Sequence, residues 1–430
     1  MVCAMTYLNA RVGKLRPTAV NTVLAEVKRL QASGRSVVSL MRGQPDTPTP
    51  GHIVEAAVKA LRDGRTGYAD IQGEPGLRRA VAEALHRDHG LTYDPDREIL
   101  VSDGATLGLS TALATLIGPR DDVLRPDPVY DAYDSPIALW GGRPVPIASS
   151  LRDGRFAFSL DDLRRAAEPS TPAILLNKPW NYQWKFLERI YRTTPRAILL
   201  NTPWNPVGTV LTRDELAWIA EFAVERDLTI ISDEIYEWLV YDGKRHVPAA
   251  AVSDAAKART VLVNSLSKTY AMTGWRVGYV AGPAEVIAAM MLVLQQSSRG
   301  PATFVQDAAA VALRWDQSCV RQMAAEYQGR RDLVVERLKG IPGVSPLVPE
   351  GGLFVMVDVR GLGMPSDEVR SSLLHNEGVV VIHGAAYGPG GEGTLRVSFA
   401  AGGETLERGL ERLREGLRRL SDRRSPEVSP

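Results

Sequence analysis

The chain has little cysteine, almost no net charge and no long apolar run, and each shortage removes a class of protein. Two cysteines in 430 residues, Cys3 and Cys319, supply neither a disulfide framework nor a thiolate metal site and suit a reducing compartment. The 51 basic and 50 acidic side chains leave a formal net charge of +1, so no field favours nucleic acid or an anionic membrane. The uninterrupted apolar segments fall far short of the ~20 residues that span a bilayer. Met1-Val-Cys-Ala-Met5 has neither the basic nor the apolar region of a secretion signal. What remains is a chain with 44% hydrophobic residues, long enough for a large core and roughly two or three domains. The expectation is a cytoplasmic protein that acts on small molecules, with no nucleic-acid or membrane partner.

The densest chemistry lies in Ser265-Leu-Ser-Lys268-Thr-Tyr-Ala-Met-Thr-Gly-Trp-Arg276-Val-Gly278, directly after the apolar run Thr260-Val-Leu-Val-Asn264. A lysine on the turn after a buried strand can condense with an aldehyde, while Ser265 and Arg276 can bind a dianionic phosphate. Aldehyde and phosphate on one small molecule describe pyridoxal 5′-phosphate (PLP). Four other apolar runs end in polar clusters. Leu228-Thr-Ile-Ile-Ser leads to Asp233-Glu-Ile-Tyr236, and Ala197-Ile-Leu-Leu to Asn201-Thr-Pro-Trp-Asn205-Pro-Val-Gly208. Glu98-Ile-Leu-Val-Ser leads to Asp103-Gly104-Ala105-Thr106, and Asp122-Val-Leu to Tyr130 and Tyr133. In open α/β sheets, ligands bind beyond the carboxyl ends of the strands, so these clusters can share one crevice. Taken singly, each has a plainer role. Asp233 suits a helix cap, Asn205 a turn before Pro206, Gly104 a tight turn, and the tyrosines ordinary packing. Their joint order favours the cofactor.

Together these segments resemble the fold-type I, class I/II aminotransferases from about Val37 to about Gly409. The resemblance implies an α/β protein: a large domain with a mostly parallel central sheet, and a smaller α/β domain built from both chain ends. Residues 1–50 would form an arm and part of the small domain, 51–300 the PLP-binding domain, 301–420 the rest of the small domain, and 421–430 a disordered tail. Lys268 would be the Schiff-base lysine and the base that moves the substrate α-proton. Asp233 would keep the pyridine nitrogen protonated, and Tyr236 and Asn205 would bond the ring oxygen. Tyr130 would stack on the ring; Gly104, Ala105, Thr106, Ser265 and Arg276 would hold the phosphate. Arg396, in Thr394-Leu-Arg396-Val-Ser-Phe, and Gly43, in Gly43-Gln-Pro-Asp46, would receive the substrate α-carboxylate. Tyr68, in Gly67-Tyr68, would reach the phosphate of a neighbouring subunit, which makes the protein a homodimer with shared active sites.

Several features depart from that pattern. Ala173-Ile-Leu-Leu-Asn-Lys-Pro-Trp-Asn181 recurs with one change as Ala197-Ile-Leu-Leu-Asn-Thr-Pro-Trp-Asn205. Only the second copy continues into Pro206-Val-Gly208, so Asn205 and not Asn181 is assigned to the cofactor. The additional segment, about 177–196, is aromatic and basic and suits a lid or a self-packed insertion. Arg42, Arg299 and His383 stand where relatives carry smaller or apolar residues, which suggests a substrate with additional polar or anionic groups. Three functions share the motif set. They are amino transfer; β/γ-elimination, replacement or cyclisation on an activated (for example sulfonium) amino acid; and PLP-dependent regulation. The third needs a DNA-binding domain, whereas the roughly forty residues before Gly43 read as a first helix. Helices are expected over Asn21–Ser33, about Phe304–Leu338, and Thr405–Leu420.

Overall fold

The computed structural model describes residue 9, residues 12–168 and residues 194–423. Seven strands form the central sheet: β1 (Ile99–Ser102), β2 (Asp121–Asp127), β3 (Arg143–Ala148), β4 (Thr194–Asn201), β5 (Thr229–Asp233), β6 (Thr260–Ser265) and β7 (Gly278–Ala281). Their spatial order is β1-β7-β6-β5-β4-β2-β3. The pairs β2–β3, β2–β4, β4–β5 and β5–β6 are parallel, while β7 runs antiparallel to both β1 and β6. The fold is thus α/β with a mixed, mostly parallel sheet.

Strands β1, β5 and β6 read Ile-Leu-Val, Ile-Ile and Val-Leu-Val because helices cover both faces, leaving no solvent-facing row to alternate. Helices Gly51–Arg62, Pro75–His89 and Thr303–Arg314 pack together over one side. Ala105–Leu116 and Ala284–Leu294 pack over the other. Gly278 marks where the strand ends crowd most closely. A Cβ there would meet the carbonyl oxygen of Asn264 at 2.6 Å and the backbone of Gly104 at 2.9 Å, so only glycine lets β7 return between its neighbours.

A second, antiparallel sheet comprises β8 (Ser345–Pro346), β9 (Phe354–Asp358), β10 (Ile382–His383) and β11 (Thr394–Ser398), in the order β8-β9-β11-β10. Helices Ser318–Leu338 and Gly403–Asp422 pack against it around Val355, Val357, Val397 and Leu413. Near the other chain end, Val38–Ser39 pairs in parallel with Val379–Val380.

Three expectations need correction. The single helix expected over 304–338 is two, Thr303–Arg314 and Ser318–Leu338. The break is built from side chains. Gln317 Nε2 donates to the carbonyls of Ala312 and Trp315 (3.1 and 2.6 Å), and Asp316 Oδ1 accepts from the Ser318 amide (3.0 Å). These bonds replace those of a continuous helix. The last helix runs beyond Leu420 to Asp422, held by Ser421 Oγ donating to the Pro342 carbonyl at 2.8 Å. Ser421 and Asp422 are therefore helical and not tail; 424–430 lie outside the described residues. Of the additional segment, 177–193 also lie outside the described residues, as does the first copy of the repeat, while Arg196 belongs to β4. The first helix spans Ala19–Ala32. No described helix is long and apolar enough to cross a membrane.

Candidate active site

The carboxyl ends of β4, β5 and β6 and the start of helix Ala105–Leu116 open onto a cavity of about 570 Å³, within the range of small-molecule sites. Asp233 closes β5 and is buried, with Asn201 and Val263 as register partners. The Tyr133 hydroxyl donates to its Oδ2 at 2.6 Å and the Ile235 amide to its Oδ1 at 3.3 Å. Burial pushes the carboxyl up from 3.8 to about 6, against the pull of the Tyr133 bond.

Lys268 stands in the short helix Leu266–Thr269, and its Nζ donates to the Gly43 carbonyl at 2.6 Å. Burial, and then the positive charge of Arg276, lower its pKa from 10.5 to about 8, although Asp233 opposes the shift. A lysine at that value is neutral in roughly a tenth of molecules at pH 7, enough to serve as nucleophile or base. Tyr236 is buried, and desolvation holds its hydroxyl protonated well above the usual phenol range. Tyr130 meets Tyr133 edge to face, with centroids 5.4 Å apart and planes at 89°.

One corner is suited to a dianion. Helix Ala105–Leu116 begins at Gly104, which has φ 82° and no side-chain cap, so its first amides are free. Ala105 and Thr106 line the cavity. Arg276, itself at φ 54°, donates to the carbonyls of Thr273 (3.0 Å) and Asp103 (3.3 Å). A Cβ on Gly104 would lie 2.7 Å from Arg276 Nη2, so glycine lets the guanidinium close over the helix start. Ser265 Oγ lies 2.9 Å from both Ser267 Oγ and the Val277 carbonyl.

Arg396, on β11, faces the same cavity from the second sheet. It is 2% exposed and donates to the Met41 carbonyl (2.9 Å) and Asn205 Oδ1 (3.1 Å). Its guanidinium lies 3.9 Å from the Phe354 ring centre and 4.7 Å from that of Tyr387. Its Nε has no hydrogen-bond partner, and among the described residues no carboxylate contacts it, although Asp131 lies near enough to feel its charge. A buried cation with no carboxylate in contact is costly, so the position is poised for an anion. Gly43 permits this packing, since a Cβ there would strike Phe354 Cζ at 2.5 Å.

Arg42 is exposed and lines the cavity. Two expected residues do not reach it within one chain: Tyr68 is 93% exposed, and Arg299 is exposed on the connection before Thr303. His383 is also elsewhere, with Nδ1 3.4 Å from Asp367. Other wall residues hold the site together. Tyr133 grips Asp233. Asn201 donates to the Asp233 carbonyl (2.9 Å) and accepts from the Asn205 amide (2.7 Å). Asp131 Oδ2 accepts from the Ala19 amide at 2.6 Å, drawing the first helix, with Asn21 and Leu24, into the cavity wall. The strand-end positions of Tyr133 and Asn201 were a usable signal; the tie from Asp131 to Ala19 has no local one.

A fold with this sheet order and strand-end site matches known proteins along its length. The family model for aminotransferase class I and II matches residues 35–413. Aromatic-amino-acid aminotransferase 2 of Thermococcus litoralis is 36% identical over 89% of this chain and 92% of its own. An aspartate aminotransferase of Pyrococcus abyssi is 36% identical over 92% of this chain and 96% of its own. The solved structure of an aspartate aminotransferase from Thermus thermophilus with maleate superposes with a TM-score of 0.84. It is 34% identical and covers 96% of this chain and 100% of the other. The chain belongs to the class I and II aminotransferases, a family of transferases with the fold-type I architecture described above.

Proposed function

We propose that the protein moves the amino group of an amino acid to a 2-oxo acid, with PLP bound at the carboxyl ends of the central strands. The observation that carries this reading is one cavity wall holding a lysine of lowered pKa, a buried carboxylate and a buried, unpaired guanidinium. The donors suit the cofactor. Lys268 would take its aldehyde, Asp233 its ring nitrogen, Tyr236 and Asn205 its ring oxygen, and Tyr130 one ring face. Gly104, Ala105, Thr106, Ser265 and Arg276 would hold its phosphate; the cradle that a Cβ on Gly104 would fill supports that fit.

When bound, PLP supplies a carbon that exchanges amines and a ring that takes up the charge left by the α-proton. Asp233, mostly ionised above about 6, holds a proton on the ring nitrogen. Tyr133 orients that carboxylate through its 2.6 Å bond. Neutral Lys268 Nζ would accept the α-proton and deliver it to the cofactor carbon that had carried the aldehyde, on the far side of the amino nitrogen. Arg396 grips the α-carboxylate, with Gly43 leaving room beside it, and Arg42 at the mouth favours a polar or anionic side chain. Two copies complete each site by bringing Tyr68 and Arg299 of one to the cavity of the other. Residues 1–50 and 301–420 act as the smaller domain over 51–300, except for helix Thr303–Arg314, which packs with the helices of the larger one, and the enzyme works in the cytoplasm.

The relatives named for aromatic amino acids and for aspartate are equally similar, at 36%, so a panel of amino donors tests the reading. Expected is a shift of the PLP absorbance to the pyridoxamine form with release of the matching 2-oxo acid. Release of a leaving group without that shift would instead mean elimination or replacement.

A further inference from the structure

Behind the cavity, three side chains form a hydrogen-bonded line. Glu237 follows Asp233 and Tyr236 on the turn after β5, and Asn264 is buried on β6, next to Ser265. Asn264 Nδ2 donates to Glu237 Oε1 at 2.8 Å, and Asn264 Oδ1 accepts from the Ser265 amide at 2.7 Å. The other oxygen of Glu237, Oε2, lies 2.8 Å from Nε2 of His89, the last residue of helix Pro75–His89. Side-chain exposures of 10% for Glu237 and 11% for His89 keep water from competing for these bonds.

The line matters because of where the backbone ladder stops. The pairing of β5 with β6 ends at Asp233 and Val263, with a last bond from the Glu234 amide to the Val263 carbonyl at 2.9 Å. Beyond it β5 gives way to a turn, while β6 continues to Ser265 paired with β7. Among the described residues, the Glu237–Asn264 bond is the one hydrogen bond joining residues 235–240 to residues 264–270. One side is the turn with Tyr236 that follows Asp233; the other is the end of β6 at Ser265 and the short helix with Lys268. Reacting groups must be held within about 0.5 Å of their working geometry, and a misplacement of about 1 Å can cost a hundredfold in rate.

We propose that Glu237 and Asn264, with His89 fixing the far oxygen of Glu237, are positioning residues that clamp the Asp233–Tyr236 turn to the Ser265–Lys268 turn and so set the cofactor's seat. The inference rests on the reading that these turns hold PLP. None of the three side chains touches the reacting atoms. The clamp acts through backbone placement, most directly through the Ser265 amide.

A reciprocal swap tests it in the full-length protein, with PLP affinity measured by absorbance titration after stripping and kcat and KM measured separately. Asn264→Asp sets a second carboxylate against Glu237 while still accepting from the Ser265 amide. It should raise the Kd for PLP at least tenfold and lower kcat at least tenfold, with KM for the amino donor changed less than threefold. Adding Glu237→Gln reverses the polarity of the bond. The new amide donates to the carboxylate at position 264, and its oxygen accepts from His89. This double variant should return both values to within threefold of wild type. Wild-type Kd and kcat in Asn264→Asp would overturn the proposal, as would a double variant that stays tenfold impaired. If Asn264→Asp fails to fold, the double variant is judged alone by the same thresholds. Wild-type protein that takes up no PLP overturns the proposed function itself, whereas normal uptake with unaffected variants overturns only the clamp.

Discussion

Replacing Lys268 with methionine should make the PLP-free protein more stable at pH 7 and less stable at pH 10. The folded protein holds this ammonium with a pKa lowered from 10.5 to about 8, burial being the main cause. A lysine whose folded value is depressed contributes stability that is present above its unfolded value and lost as pH falls through the folded one. The difference of about 2.5 corresponds to about 3 kcal/mol at pH 7, at 1.36 kcal/mol per pH unit. The side chain keeps some contact with solvent, which trims the figure to roughly 2 kcal/mol. Methionine removes that cost but also the 2.6 Å bond to the Gly43 carbonyl, worth about 1 kcal/mol. The net gain at pH 7 is about 1 kcal/mol, or roughly 1–2 °C in Tm for a chain of this size. By pH 10 the lysine is neutral in the folded state, most of its cost has gone, and the lost bond leaves the variant the weaker protein. Thermal unfolding of PLP-stripped wild type and variant in matched buffers reads the difference. A variant that is less stable by the same margin at both pH values would refute the account of Lys268 as a charge held against its solvation.

Tyr133→Phe removes the hydroxyl on Asp233 Oδ2, a bond to a charged group worth about 1.5–3 kcal/mol. The carboxyl should then titrate above its present value of about 6, and PLP affinity at pH 7 should fall; an unchanged pH dependence of PLP binding would count against it. Arg396→Gln should lower kcat/KM for the amino donor by roughly 30- to 1,000-fold, equivalent to about 2–4 kcal/mol for a desolvated charge pair, while leaving the PLP spectrum intact. A changed spectrum with an unchanged KM would assign Arg396 to the cofactor instead. Gly43→Val forces Phe354 away from Arg396, since even a Cβ lies 2.5 Å from Phe354 Cζ. KM should rise about tenfold for a lost contact of about 1.4 kcal/mol, and an unchanged KM would show that Phe354 has room to move.

The sequence alone determined the element types, the turn chemistry and the family. Strands covered on both faces are written as short aliphatic runs, and strand-end turns as Asp233-Glu-Ile-Tyr236 or Ser265-Leu-Ser-Lys268, all within a few neighbouring residues. Helix limits were less legible where a side chain ends the helix, as Gln317 does by taking three backbone carbonyls. Only the tertiary structure decided which groups face one another. Tyr133 meets Asp233 across 100 residues, Asp131 meets Ala19 across 112, Arg396 meets Asn205 across 191, and Lys268 meets Gly43 across 225. Such pairings follow from strand order, which inserts β7 between β1 and β6, and from the meeting of two sheets at one cavity. The lowered pKa of Lys268, the raised one of Asp233 and the unpaired charge of Arg396 arise the same way. Each is set by how much water the packed chain excludes, a property of the assembled surroundings that no run of neighbouring residues specifies.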